Sequence, residues 1–340
     1  MPKPAAEIFF EDYNAAPCET FVQLPQSGSS RKNYLATAQN RQYIITENSN
    51  IAENDSFLYF SEVFSDLKLN TPEIYAVSQD HKMYIQEFLG SSTLSDMISK
   101  EGTSEHVRLL VKKTLEKLFE LQQKTNGKID YSRTFEYAEY DSIPVMHDLF
   151  YFKFMFADLV EVQYHKSRLI REFQQIVQRV ETLQPRGLMI RDFQSRNIMV
   201  LEDEVFFIDY QSAMKGPLMY DVTSFLYQAK AHFPENFRQD MLEYYYSLWE
   251  NQEQMYQLKE SLPLLQLMRF LQVLGGYGFR GLVQRKPHFV QSIHQGIENI
   301  YQHSELWDGM KAFPELKSVI CQLHSAQTTA HINSILESQS

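Results

Sequence analysis

Cysteine is almost missing: Cys18 and Cys321 are the two in a chain of 340 residues. They lie far apart with no CxxC or Cys/His companions, which excludes a disulfide framework and a cysteine zinc site and fits a reducing compartment. Long apolar runs are missing as well. No stretch approaches the ~20 residues of a membrane span, and "MPKPAAEIFFEDYNAAP" has neither the apolar core nor the small-residue cleavage pattern of a secretory leader. A cytoplasmic setting, with no membrane partner, is the expectation. Positive charge is in deficit, 32 Lys+Arg against 43 Asp+Glu for a formal net charge of -11. That balance argues against a polyanion held by bulk charge, so nucleic acid is not an expected partner. Internal repeats and low-complexity linkers are also lacking. What is present is apolar: 44% hydrophobic and 14% aromatic residues, ample for two domains or one two-lobed one.

From Thr20 to Ile45, alternating apolar and polar residues flank a Ser/Gly cluster, which predicts a strand pair with a tight turn. Ile51 to Leu69 has helical spacing, with Phe57, Phe60, Phe64 and Leu67 on one stripe, and Glu73 to Phe88 predicts a further hairpin. Beyond Gly90 the periodicity is mostly helical: Val107 to Gln123, Val145 to His165, Ser167 to Leu183, Tyr220 to Ala231, Pro234 to Glu250, Met255 to Leu274 and His288 to Gln302. The tail from Ala326 is polar. The pattern predicts an α+β protein with a small β-rich N-lobe, residues 1–89, and a larger helical C-lobe, residues 90–340.

One island interrupts the helices. In "GLMIRDFQSRNIMVLEDEVFFIDYQSA", Gly187 to Ala213, short β-like runs alternate with charged turns. Asp192 is followed by Asn197 and, after an apolar run, by Asp209. Phosphoryl transfer from ATP needs a carboxylate to take the proton of the incoming hydroxyl and hard oxygen ligands to hold Mg²⁺ against the phosphates. Asp192 suits the first task, Asn197 and Asp209 the second. The plain alternative is that all three are turn residues, since Asp and Asn are ordinary there.

"IRDFQSRN" and "FFIDYQSA" resemble the catalytic and metal-binding segments of the protein-kinase-like superfamily, and look more like its aminoglycoside phosphotransferase and choline kinase branch, because no DFG or APE follows. The continuation "IDYQSAMKGPLMYDVTSFLYQAK" is similar to bacterial kinases acting on the anomeric hydroxyl of N-acetylmuramate and N-acetylglucosamine. "RFLQVLGGYGFRGLVQRKPHF", Arg269 to Phe289, resembles related phosphotransferases, although Gly275 to Gly281 by itself reads as a helix-breaking turn. The resemblance implies a bilobal kinase-like fold, ATP and Mg²⁺ as cofactors, and a small-molecule acceptor, most simply a sugar; it says nothing of oligomeric state. Aminoglycosides or choline are the rival acceptors. An inactive nucleotide-binding regulatory protein is the rival of another class, suggested by two departures: Ile190 stands where the motif has His, and the family's third-strand lysine has no counterpart.

In place of that lysine, "QSGSSRKNY" offers Ser27, Gly28, Ser29 and Ser30 for phosphate oxygens and Arg31 or Lys32 for charge; otherwise it is a polar hairpin tip. "YIQEFLG" would be the hinge, with Glu87, Phe88 and Leu89 facing adenine, or else an edge strand. Glu62 on the small-lobe helix is a possible brace for a basic ligand, though most helix glutamates are simply solvated. Asp221 reads as a helix N-cap. Gln194, Arg196 and Asp148 are candidate acceptor contacts, with a cap as the alternative for Asp148. "LFYFKFMF" reads as core.

Overall fold

The computed structural model describes residues 3–25 and 31–337. The chain divides into two compact units, Met1–Ala138 with Ile190–Met214, and Glu139–Met189 with Lys215–Ser340.

The first unit opens on helix α1 (Ala5–Asn14), which the sequence reading did not anticipate. Its Ala6 and Phe10 are buried in one cluster with Tyr34, Ala36, Ala38, Ile45 and Ile85 of the sheet. The sheet is antiparallel, in the order β1-β2-β3-β5-β4, from β1 (Thr20–Gln23), β2 (Lys32–Ala38), β3 (Arg41–Glu47), β4 (Ile74–Val77) and β5 (Met83–Glu87). Where one strand pair was expected, the chain makes three strands. The second turn is carried by Gln39 and Asn40, with φ of 53° and 61°; two successive left-handed residues match the twist of a tight hairpin. Helix α2 (Ile51–Asp66) starts at Asn50, whose side chain accepts from the Glu53 N–H. It buries Phe57, Phe60 and Phe64 as expected, and leaves Glu62 exposed.

The same unit continues through α3 (Leu94–Glu101), whose Thr93 and Asp96 form a reciprocal capping box, and α4 (Glu105–Lys124). It also includes the hairpin of β7 (Ile198–Leu201) and β8 (Glu204–Phe207), in register from Ile198↔Phe207 to Leu201↔Glu204. Two backbone hydrogen bonds pin this hairpin, Val200 N–H to Ser92 and Phe207 N–H to Asn70, at 2.9 and 2.8 Å.

The second unit is helical apart from paired strands β6 (Arg186–Met189) and β9 (Met214–Pro217). The helix expected from Val145 to His165 is in fact α5 (Ser142–Phe152), capped by the Asp141 side chain, followed by a π-helical segment, Lys153–Ala157. Asp148 therefore lies inside α5 and is not a cap. After α6 (Lys166–Thr182) and β9 comes α7 (Met219–Leu226), which begins after Leu218 and contains Asp221 fully buried; Asp221 is a core residue of the helix, not its N-cap. Then follow α8 (Glu235–Ser247) and α9 (Gln252–Gly276). The glycines expected to break the chain do not: α9 runs through Gly275 and Gly276 into a second π-helical segment, Tyr277–Val283. Next come α10 (Pro287–Val290), α11 (Ile293–Leu306), α12 (Pro314–Leu323) and, in the tail read only as polar, α13 (Ala326–Glu337). No helix among the described residues is long and apolar enough to cross a membrane.

Those glycines serve close packing. A Cβ on Gly275 would sit 2.7 Å from the Tyr151 ring and 3.0 Å from the Phe152 nitrogen, and one on Gly278 would overlap the Met155 carbonyl oxygen. Backbone, unlike a flexible side-chain tip, cannot move aside cheaply. Gly278→Ala is therefore expected to destabilise this unit by about 3 kcal/mol through overpacking. Gly276→Ala, with nothing within 4 Å of its Cβ, should be neutral or stabilising by up to ~1 kcal/mol through helix propensity. Denaturant midpoints of the two variants check this, and equal midpoints would refute it.

Candidate active site

Asp192, Asn197 and Asp209 are delivered by the loop and hairpin that the spacing suggested. The loop turns sharply at its start: the Asp192 N–H donates to the Ile190 carbonyl at 3.0 Å across Arg191, whose φ is 72°. This is the rare left-handed form of the γ-turn, and such strain persists where the surroundings enforce it. Ile190, at the position of the motif's His, is buried, with 1% of its surface exposed. Its carbonyl supplies the loop with a backbone hydrogen bond that needs no imidazole.

Asn197 closes a short 3₁₀ turn, Ser195–Asn197, and is buried. Its Nδ2 donates to the Asp192 carbonyl at 2.9 Å and to Asp209 Oδ2 at 3.3 Å. Neither bond uses its Oδ1. Asp209 follows β8 with φ of 65°, a left-handed conformation that Asp tolerates better than most residues. The three sequence candidates are thus joined by one amide.

A fourth group completes the set. Arg31 donates from NH2 to Asp209 Oδ1 at 2.6 Å and from NH1 to Gln211 Oε1 at 3.2 Å, while its Nε lies 3.6 Å from Glu53 Oε1. Gln211 Nε2 in turn donates to Asp209 Oδ1 at 3.1 Å. Burial works against the Arg31 charge, and the neighbouring Asp209 and Glu53 carboxylates outweigh it, so the guanidinium pKa is raised further.

Helix α2 organises this network. Its Ser56 hydroxyl donates to the Gln211 carbonyl at 2.9 Å, and its Ser61 hydroxyl bonds the Tyr210 hydroxyl at 2.8 Å. The Tyr210 ring stacks on Phe57 at 4.8 Å and meets Phe64 edge-on at 5.0 Å. Burial pushes the Tyr210 hydroxyl well above its ordinary pKa, so it stays neutral and serves as an anchor. One helix face thereby fixes both Glu53, which steadies Arg31, and the backbone that presents Asp209.

Other candidates lie elsewhere. Lys32 begins β2 and points to Glu47 at 3.6 Å. Ser27, Gly28, Ser29 and Ser30 lie outside the described residues. Glu87 ends β5, its N–H bonded to the Glu73 carbonyl at 2.9 Å, with Phe88 partly and Leu89 fully buried beyond it. Gln194 lends its carbonyl to the Asn197 N–H at 2.8 Å, and Arg196 is exposed. Asp148, in the second unit, is 1% exposed and accepts from the Tyr140 hydroxyl at 2.9 Å. Sequence reasoning passed over Gln211, although it stands inside "IDYQSA". Glu53 gave no signal, because its partner is 22 residues upstream in another element.

A five-stranded antiparallel sheet followed by a mainly helical region, with an Asp–Asn–Asp set on a loop and hairpin, defines a kinase-like phosphotransferase. The chain belongs to the phosphotransferase enzyme family, whose model matches residues 22–257. It is 28% identical over 189 residues to an N-acetylmuramate/N-acetylglucosamine kinase of Neisseria meningitidis, covering 54% of this chain and 52% of that protein, so it spans about half the length of that relative. Among solved structures, the choline kinase LicA from Streptococcus pneumoniae shares the fold at a TM-score of 0.60 and 15% identity, over 87% of this chain and 99% of that one. A thermostable mutant of aminoglycoside phosphotransferase APH(4)-Ia, in a ternary complex with ADP and hygromycin B, does so at 0.57 and 14%, over 87% and 98%.

Proposed function

We propose that this phosphotransferase is an ATP- and Mg²⁺-dependent kinase that phosphorylates the anomeric hydroxyl of an amino sugar of the N-acetylmuramate/N-acetylglucosamine type. The convergence of Arg31, Asn197 and Asp209 beside Asp192 carries the reading; the partial likeness to the Neisseria kinase supports the sugar. Asp192 orients the acceptor hydroxyl and takes its proton. As the new oxygen–phosphorus bond forms, the bond from the terminal phosphorus to its bridging oxygen breaks and ADP leaves. Arg31 supplies a phosphate ligand in place of the third-strand lysine, with Glu53 as its brace and Ser27 to Ser30 and Lys32 contributing to the phosphate loop. Glu87, Phe88 and Leu89 form the adenine-facing hinge. Gln194, Arg196 and Asp148 are assigned to the acceptor side. On this reading residues 1–89 serve the nucleotide, and residues 90–340 the chemistry and the acceptor.

The donor set fits a hard cation: an Asp carboxylate and an Asn amide oxygen, with Asp209 one-third exposed at 33%. Bound there, Mg²⁺ would neutralise charge on the terminal phosphates. The free thiols of Cys18 and Cys321 suit a reducing, cytoplasmic setting.

The test is a screen of amino sugars, aminoglycosides and choline with ATP, the position of the phosphate being read by ³¹P NMR. Phosphate on C1 of an N-acetylated amino sugar is the expected result. Turnover confined to aminoglycosides or choline would replace the acceptor, and nucleotide binding without turnover of any acceptor would leave a regulatory protein.

A further inference from the structure

The carboxylate read as a metal ligand already carries a cation. Asp209 Oδ1 accepts from Arg31 at 2.6 Å and from Gln211 Nε2 at 3.1 Å, and Oδ2 accepts from Asn197 Nδ2 at 3.3 Å. A divalent cation and the guanidinium therefore need the same oxygen. Arg31 is largely buried, where water screens charge poorly, so each repels the other strongly. One must leave Asp209 when the other arrives.

Arg31 has other holds. Its NH1 donates to Gln211 Oε1 at 3.2 Å and its Nε lies 3.6 Å from Glu53 Oε1, so two of these three contacts do not involve Asp209. Both holds are themselves fixed. The buried Gln211 takes the Ser56 hydroxyl of α2 on its carbonyl at 2.9 Å. Glu53 Oε2 accepts from Nδ2 of the buried Asn48 at 2.9 Å, and the same Nδ2 reaches Asn54 Oδ1 at 3.1 Å. The guanidinium can thus give up its NH2 bond to Asp209 while Nε and NH1 keep it beside the site. All of these groups belong to the first unit.

We propose that Arg31 is a built-in counter-ion that closes Asp209 to free divalent cations and yields it to a cation that arrives with nucleotide phosphates. A cation alone offers the displaced NH2 group no new acceptor. Phosphate oxygens do, in a geometry that suits the guanidinium fork. Metal and nucleotide binding are then coupled, each favouring the other by the same factor. The inference rests on Asp209 as a metal ligand and adds an order of binding to that reading: metal does not precede nucleotide. Glu53 and Gln211 act on it as positioning residues, holding the arginine while it changes partner.

Titration with Mn²⁺ in the absence of nucleotide, the bound ion being read by EPR, tests it on the wild type, Arg31→Gln, Arg31→Lys and the double variant Arg31→Gln/Asp209→Asn, with melting curves for each. Arg31→Gln is expected to bind Mn²⁺ about 10- to 100-fold more tightly than the wild type, the equivalent of one hydrogen bond between charged groups. Adding Asp209→Asn should abolish that gain, which places the ion at Asp209. Arg31→Lys keeps the charge but cannot engage Asp209 and Gln211 together, and should fall between. Equal affinity in the wild type and Arg31→Gln overturns the proposal. So does Arg31→Lys binding like the wild type, because charge alone would then account for the gain, and this comparison decides if Arg31→Gln melts below the assay temperature. The metal reading is tested apart, by Mn²⁺ binding to Asp209→Asn in the presence of ADP. A loss there keeps Asp209 as a metal ligand whatever the Arg31 variants show; no loss removes it, and the counter-ion role falls with it.

Discussion

Asp192→Asn is expected to lower kcat about 10³-fold, with KM for the nucleotide unchanged within about twofold. The side chain keeps its size and its loop: the turn at Arg191 and the Asn197 bond both use the Asp192 backbone, so neither depends on the carboxylate. On the proposed mechanism, what the amide loses is the ability to accept the acceptor's proton as the new bond forms. A loss confined to kcat is the mark of an interaction made in the transition state. Single-turnover assays on whichever acceptor is turned over measure it, and a variant with near wild-type kcat would remove Asp192 from the chemistry.

Arg31→Ala is expected to weaken nucleotide binding about 10²-fold and to make the fold depend on divalent cation. Asp209 Oδ1 takes its shortest hydrogen bond from Arg31, and the Arg31 side chain is only 14% exposed. Removing Arg31 takes the charge partner from Asp209, which is one-third exposed and keeps its bonds from Gln211 and Asn197, so the cost is about 1 to 2 kcal/mol. Mg²⁺ should then raise the melting temperature of the variant more than that of the wild type, since a bound cation restores the missing charge. Arg31→Lys keeps the charge but not the fork that engages Asp209 and Gln211 together, and should fall between. Titrations of nucleotide with and without Mg²⁺, beside melting curves, separate the two effects. An Arg31→Ala protein that binds nucleotide like the wild type would pass the proposed phosphate-ligand role to Lys32 or to Ser27 to Ser30.

Several elements were legible because they follow from local periodicity. Helix α2 shows its apolar stripe, the β4–β5 hairpin alternates with period two, and the segment from Gly187 to Ala213 marks its three polar candidates by spacing. Other elements were hidden where local pattern is weak. The β2–β3 turn uses Gln39 and Asn40 rather than glycine, α1 and α13 carry short or polar faces, and α5 passes into a π-helical turn that hydrophobicity does not mark. The glycines at 275 to 281 misled for a physical reason: their signal is the same whether the missing Cβ permits a turn or a backbone contact.

By itself the sequence determined the class of fold and singled out Asp192, Asn197 and Asp209 as the candidates for the chemistry, because phosphoryl transfer demands a carboxylate and hard oxygen ligands in a fixed order along a loop and hairpin. It left open what replaces the absent lysine. Only the tertiary structure puts Arg31 forward for that place, since it meets Asp209 across 178 residues and Glu53 from a helix with no covalent reason to be near. Charge partners are chosen by which buried ion would otherwise stand alone, and that depends on distances no spacing records.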